Sequence, residues 1–359
     1  MAKKTETQNK LDSLFDKMKK DYPLSLPDVM VAGHVNRLLL SSPKLNYIFG
    51  GGMPIGRIIE LFGPESGGKT ILLSHIAGQF QKRTDGKPNT VVIVDMEHTF
   101  DIDYAQIAGL DPDPKKLIFL HPQHGEEGFE ICQKLIETGE ISLIGWDSIA
   151  ATPSASTLVD EYGHSNFGKT AALFSEGLRK FNPYLSRFGT SLILLNQVRA
   201  KIGGFQSYGP QENTPGGYAV KFYASWRGRV SKIQDILDNK VTIGNSIRIK
   251  NVKSKIGIPK RSAELELYYD TGFNPDLEYI DFIISLGLVE KSGAWYIYKD
   301  EKFQGREALI EMLRNNRDIF DEMKEIVNNS FKNHSPLDDM ETEDMQAEAE
   351  MIALDKGGE

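Results

Sequence analysis

Between residues 35 and 270, short apolar runs alternate with stretches in which apolar residues recur every three to four positions. The runs at 57–62, 91–94, 141–145 and 191–195 have the length of buried strands, while 71–81, 129–136 and 170–188 carry helical spacing. Strand and helix in alternation predict an α/β core around a mostly parallel central sheet, because a parallel strand needs a crossover before it can pair. The segments 246–250 and 263–269 instead alternate apolar with polar residues, the mark of antiparallel hairpin strands with one wet face.

The pattern changes at both ends. After Gly272, short helices around 277–286 and 307–313 flank Ala294-Trp295-Tyr296-Ile297-Tyr298, which predicts a small C-terminal α/β domain over 271–335. Ahead of the core at 35–270, Leu11, Leu14, Phe15 and Met18 form one face of an amphipathic helix within 1–34, with Pro23 and Pro27 behind it. So short a helix needs a partner surface, either its own core or a neighbouring subunit. There is no internal repeat.

Charge alters this picture only at the C-terminus. The 359 residues carry a net charge of −8, which argues against a nucleic-acid partner until the charge is located. From Leu337 to Glu359 there are nine acids and one base (Lys356), so the preceding residues are neutral as a whole. Contact with a polyanion would then come from local basic loops. The segment 336–359 reads as an acidic disordered tail, competing with such a ligand or merely solubilising the chain. The single cysteine, Cys132, sits among Phe129, Ile131 and Leu135 and reads as a buried thiol in a reducing compartment. No apolar run approaches a membrane span, so the expected location is the cytoplasm.

The strongest chemical signal is Gly63-Pro64-Glu65-Ser66-Gly67-Gly68-Lys69-Thr70, placed between a predicted strand and a predicted helix. Glycines let backbone N–H groups close around phosphates at a helix N-terminus, Lys69 can neutralise the β- and γ-phosphates, and Thr70 can ligate Mg²⁺. ATP and Mg²⁺ are the implied ligands. Asp147, with Ser148 after it, ends the apolar run 141–146 and can hold the metal through water; a helix-capping role is its alternative. Hydrolysis needs an acid to orient or deprotonate water. Glu97, just beyond the strand 91–94, is the best placed, and Asp95 is its rival.

Two stretches read as loops, 160–168 and 199–217, the second rich in Gly, Pro and Gln. The second offers Arg199 and Lys201 to phosphates and Phe205 and Tyr208 to bases, a combination suited to sequence-independent binding of single strands.

Taken together, Gly63–Thr70, Val94-Asp95-Met96-Glu97-His98, Asp147-Ser148, Leu195-Asn196-Gln197-Val198-Arg199 and the run from Gly216 and Gly217 to Ser225 resemble the RecA family of recombinases. The likeness extends from about residue 38 to about residue 313. It implies a RecA-like ATPase core and a DNA-dependent ATPase that assembles, bound to ATP, as a helical head-to-tail filament on single-stranded DNA. It also implies homologous pairing and strand exchange with duplex DNA in recombination and repair, with single-strand-binding and loader proteins as further partners. By the same resemblance Glu97 activates water, Asp101, Tyr104 and Tyr269 hold the adenine side of the nucleotide, and Gln197 senses the γ-phosphate. Lys253 and Lys255 match the pair that reaches the phosphates from a neighbouring subunit; alone they would read as solvated lysines on an edge strand. Arg179, placed at the end of the long helix, matches a DNA contact, and Arg248 and Lys250 match the region receiving incoming duplex. Two departures stand out. The second loop is about two residues longer than usual, leaving Phe205 and Tyr208 both eligible to wedge between bases, and Ala172 replaces a usual basic residue. A ring-forming helicase or motor of the same superfamily and a non-catalytic DNA-coating mediator are the competing readings.

Overall fold

A computed structural model describes residues 35–160, 168–198 and 214–332. The amphipathic helix expected at 11–18, the loop residues 161–167 and 199–213 and the acidic tail lie outside them. In chain order from Arg37 the elements are β1 (Arg37–Leu38), α1 (Pro43–Phe49), β2 (Met53–Pro54), β3 (Ile58–Gly63), α2 (Lys69–Gln81), β4 (Thr90–Asp95), α3 (Ile102–Ile107), β5 (Leu117–Leu120) and α4 (Gly125–Glu137). There follow β6 (Ile141–Asp147), α5 (Ala155–Val159), α6 (Lys169–Phe188), β7 (Ser191–Gln197), α7 (Gly217–Tyr223), β8 (Trp226–Asp238), β9 (Val241–Ser254), β10 (Ser262–Tyr268) and β11 (Gly272–Phe273). The last are α8 (Pro275–Ser285), β12 (Glu290–Ser292), β13 (Trp295–Tyr298), β14 (Glu301–Gln304), α9 (Arg306–Asn315) and α10 (Arg317–Lys332).

Nine strands form the central sheet in the order β11-β10-β9-β8-β3-β7-β6-β4-β5. From β8 to β5 every pairing is parallel, and from β8 to β11 every pairing is antiparallel. The mostly parallel sheet and the alternating segments around 246–250 and 263–269 are thus both present, the latter as neighbouring strands of one antiparallel flank. Period-two geometry divides the core between the two faces. Ile59, Leu61, Val91, Ile93, Leu143, Ile193 and Leu195 pack with Leu73, Ile76 and Phe80 of α2. Ile58, Val92, Val94, Ile144, Trp146, Leu192 and Leu194 pack on the other face with Phe129 and Cys132 of α4 and Phe174, Leu178 and Phe181 of α6. Both faces of the parallel strands are covered, which is why these strands read as unbroken apolar runs.

The three-stranded sheet β12-β13-β14 lies with α8, α9 and α10 at the C-terminal end. Tyr279, Ile280, Phe282, Phe320 and Phe331 from this region join the same apolar cluster as Tyr47 and Phe49 of α1. Ser42 caps α1 by accepting from the Leu45 N–H, and the same hydroxyl donates to the buried carboxylate of Glu278 on α8. No helix among the described residues is long and apolar enough to cross a membrane.

Candidate functional site

Strand register builds the site. Gly63 at the end of β3 lies beside Gln197 at the end of β7, and Asp95 at the end of β4 lies beside Asp147 at the end of β6. Because these four strands are adjacent and parallel, the phosphate loop, Gln197, Asp147 and the turn after Asp95 emerge along one carboxyl edge, where open α/β sheets bind ligands.

The phosphate loop is tight. A Cβ on Gly63 would sit 1.9 Å from the carbonyl oxygen of Val230 on β8, so no other residue fits there without moving that strand. Gly68 caps α2 in the left-handed region at φ 88°. Lys69 is buried, and its Nζ donates to the loop's own carbonyls at Gly63 (3.3 Å) and Pro64 (2.6 Å). Burial lowers its pKa, opposed by the charges of Asp147, Glu97 and Glu65. Pro64, Glu65 and Ser66 are exposed, and Gly67 is buried.

Thr70 Oγ1 donates to Asp147 Oδ2 at 2.7 Å. Asp147 is buried, and burial pushes its carboxyl up to about 6, with the nearby charges of Glu97 and Asp95 acting in the same direction. A hydroxyl and a carboxylate so placed are the hard-oxygen donors that suit Mg²⁺, an ion usually held by one or two protein groups together with substrate phosphates and water.

The structure separates the two rival acids. Asp95 is 1% exposed, and its carboxylate accepts from the backbone N–H groups of Glu97 (3.1 Å), His98 (2.9 Å) and Phe100 (3.2 Å). It shapes the turn. Glu97 is carried by that turn to the strand edge, where Oε1 accepts from Gln197 Nε2 at 3.0 Å and from the Ser148 hydroxyl. Residues distant in sequence thus meet at one carboxylate oxygen.

Asp101 caps α3, accepting from the Tyr104 N–H at 3.0 Å. Tyr104 is half-buried, and its hydroxyl is held above the ordinary tyrosine value by burial and by the neighbouring Tyr269. Tyr269 is exposed just after β10 and its hydroxyl accepts from Asn245 Nδ2 at 3.4 Å. Asp101 and Tyr104 follow β4 and Tyr269 follows β10, strands near opposite ends of the sheet order, yet the two tyrosines are close enough to interact.

Lys253 is half-buried on β9, an interior strand, and Lys255 is exposed just beyond it, but both ammonium groups are held by the end of α7. Lys253 pairs in register with Arg227 on β8, and its Nζ donates to the carbonyls of Lys221, Phe222 (3.3 Å) and Ala224 (2.9 Å) at the end of α7. Lys255 Nζ donates to the Phe222 carbonyl at 2.6 Å. Burial and then the Lys255 charge lower Lys253 to about 8. α7 is capped by Gly216, left-handed at φ 83°, at the end of the second loop.

Arg179 is exposed on α6, but mid-helix rather than at its end: α6 runs Lys169–Phe188, and apolar anchors at Leu178, Phe181 and Leu185 continue it past Arg179. Ala172 is exposed on the same helix. Arg248 is exposed on β9 and paired with Glu264 of β10 at 2.5 Å, and Lys250 is exposed two residues on. Arg199, Lys201, Phe205 and Tyr208 lie outside the described residues.

Sequence reading missed a buried network under the site. Glu60 of β3 is 0% exposed; its Oε1 accepts from Asn196 Nδ2 at 2.9 Å and its Oε2 from Arg227. Asn196 Nδ2 also donates to the Pro215 carbonyl at 2.9 Å, and Asn196 Oδ1 accepts from the Gln197 N–H at 3.0 Å. The available signal was a lone acid inside the apolar run 58–62.

Comparison with known proteins settles the family. The model of the RecA N-terminal domain matches residues 24–274 and that of the RecA C-terminal domain matches 278–332. The chain belongs to the RecA family. Protein RecA of Campylobacter jejuni is 39% identical over 282 residues, 78% of this chain and 80% of that one. Protein RecA of Bifidobacterium breve is 39% identical over 282 residues, covering 78% and 70% of the two chains, and that of Acidothermus cellulolyticus 41% over 275 residues, covering 76% and 77%. The family's function, homologous recombination in DNA repair, accompanies that membership, and neither the ring helicase nor the non-catalytic coat is favoured.

Proposed function

We propose that the chain is a DNA-dependent ATPase whose ATP-bound, head-to-tail filament on single-stranded DNA pairs it with homologous duplex and exchanges strands. The observation that carries this reading is the convergence of Gln197 and Glu97 beside the phosphate loop. In it, the backbone of residues 63–68 and Lys69 hold the phosphates, while Asp101, Tyr104 and Tyr269 flank the base. Thr70 and, through water, Asp147 would hold Mg²⁺, which neutralises charge on the phosphate oxygens when bound. Glu97 accepts a proton from the attacking water as its oxygen bonds to the γ-phosphorus and the bond to the β–γ bridging oxygen breaks.

In this reading Gln197 exchanges its bond to Glu97 for the γ-phosphate, and Asn196 transmits the change to Pro215 at the end of the second loop. Lys253 and Lys255 reach the phosphates of the adjacent protomer. Arg199, Lys201, Phe205, Tyr208, Gly216 and Gly217 contact the single strand together with Arg179, and Arg248 and Lys250 receive duplex. The cytoplasm is the expected compartment. A strand-exchange assay with a single-stranded circle, homologous linear duplex and ATP tests the proposal, and absence of joint molecules in the presence of filaments overturns it. Glu97→Gln should abolish hydrolysis while filaments still assemble.

A further inference from the structure

Asp147 and Ser148 are adjacent, yet their side chains serve different partners. Asp147 Oδ2 accepts from Thr70 on the metal side, whereas the Ser148 hydroxyl donates to Glu97 Oε1. We infer that Ser148 is a positioning residue that fixes the Glu97 carboxylate for hydrolysis, rather than part of the nucleotide or metal contact set; the inference rests on the proposed role of Glu97.

Glu97 has three rotatable side-chain bonds and sits half-buried at the strand edge, so its carboxylate needs anchoring before it can meet a water in one orientation. Its backbone is fixed by Asp95, through the 3.1 Å bond to the Glu97 N–H. Its side chain is fixed by two donors on the same oxygen, Ser148 and Gln197, which directs Oε2 to other partners.

The two donors differ in rigidity. Gln197 is half-buried and leads into the second loop, and the proposed function requires it to turn away toward a phosphate. Ser148 is 1% exposed and held from several sides. Its carbonyl accepts from Thr152 Oγ1 at 2.8 Å, and that hydroxyl in turn accepts from Trp146 Nε1 at 2.9 Å. The next residue donates its N–H to the Leu195 carbonyl at 2.9 Å, and the preceding carbonyl accepts from Met96 N at 2.6 Å. Ser148 is therefore the donor that can stay on Glu97 while Gln197 moves. A hydroxyl has a single proton to give, and here Glu97 receives it.

The test compares Ser148→Ala, Ser148→Thr and Glu97→Gln in the full chain, measuring DNA-stimulated ATP hydrolysis and binding of a non-hydrolysable ATP analogue. Loss of a positioning hydrogen bond predicts a fall in kcat of about tenfold to a hundredfold for Ser148→Ala. KM for ATP and analogue binding should stay within about twofold, as expected for an interaction that acts only in the transition state. Ser148→Thr, which keeps the hydroxyl, should recover most of the rate, and adding Ser148→Ala to Glu97→Gln should cost nothing more. A Ser148→Ala chain with unchanged kcat, or with weakened analogue binding at unchanged kcat, overturns the inference. If Glu97→Gln itself hydrolyses ATP normally, the reading of the site fails first, a result distinct from failure of Ser148 alone. Should Ser148→Ala lower the melting temperature, Ser148→Cys gives a near-isosteric weak donor, expected between alanine and wild type; wild-type turnover in it also counts against the inference.

Discussion

Replacing Glu278 by glutamine should make the protein more stable at pH 8 and leave it nearly unchanged below pH 5. Glu278 is 5% exposed between α8 and α1, and one carboxylate oxygen accepts from Ser42 and from the Lys44 N–H at 3.3 Å. Among the described residues Oε1 has no hydrogen-bond partner. Burial dominates, pushing the carboxyl from the ordinary 4.5 up to about 7, despite the opposing Ser42 bond and Lys44 charge. The fold therefore favours the protonated form. Its contribution to stability is complete below the unfolded value near 4.5, declines as pH rises, and is gone above about 7. At about 1.4 kcal/mol per tenfold change in acidity, this amounts to about 3 kcal/mol across the window. Glutamine stands in for the protonated acid and does not titrate. Urea unfolding of both chains at half-unit steps from pH 4.5 to 8, followed by tryptophan fluorescence, should show their midpoints separating as pH rises. A constant difference across that range would refute the argument, because burial of an ionised carboxylate would then cost nothing measurable.

Two further perturbations probe the scaffold of the site. Gly63→Ala places a methyl 1.9 Å from the Val230 carbonyl, so β3 and β8 must part; nucleotide binding, measured by fluorescence of a labelled ATP analogue, should be lost. Asn196→Ala removes a donor from buried Glu60 and from Pro215, and should lower stability by about 2–3 kcal/mol in the same urea assay. It should also weaken the response of hydrolysis to DNA, and an unaltered DNA dependence would sever the proposed link from Gln197 to the second loop.

The parallel strands were legible because both of their faces are buried, so Ile58–Phe62, Val91–Val94 and Ile141–Trp146 carry few polar interruptions. The outer half of the β8–β9 hairpin was not. Beyond Ser231 both of its faces are wet, and Lys232, Gln234, Asp235 and Asp238 erase the alternation that marks a strand. α10 was also missed, although Phe320, Met323, Val327 and Phe331 recur at helical spacing with charged residues between them, so the signal for it was present in the sequence. The phosphate loop announced itself through local spacing. The meeting of Glu97, Ser148 and Gln197 depends on the alignment of β4, β6 and β7, which no local pattern encodes; family resemblance supplied roles for Glu97 and Gln197 but not the contact with Ser148. Sequence put Glu97 ahead of Asp95 but left Asp95 as its rival, since both lie just beyond the predicted strand 91–94. Their hydrogen bonding differs, with Asp95 committed to three backbone N–H groups and Glu97 to the side chains of Ser148 and Gln197. Lys253 and Lys255 were likewise recognisable only by resemblance, and their hold on the end of α7 had no signal in sequence.

If each ATP site is completed by the next protomer, mixing two inactive chains should restore activity. Glu97→Gln lacks the water-activating acid, and Lys253→Ala/Lys255→Ala lacks the reaching lysines; each alone should hydrolyse little ATP on single-stranded DNA. In an equimolar mixture, random head-to-tail assembly leaves about a quarter of the sites with Glu97 from one chain and both lysines from its neighbour. The mixture should recover about a quarter of wild-type turnover, and a mixture no more active than its two components would show that the site is not shared between protomers.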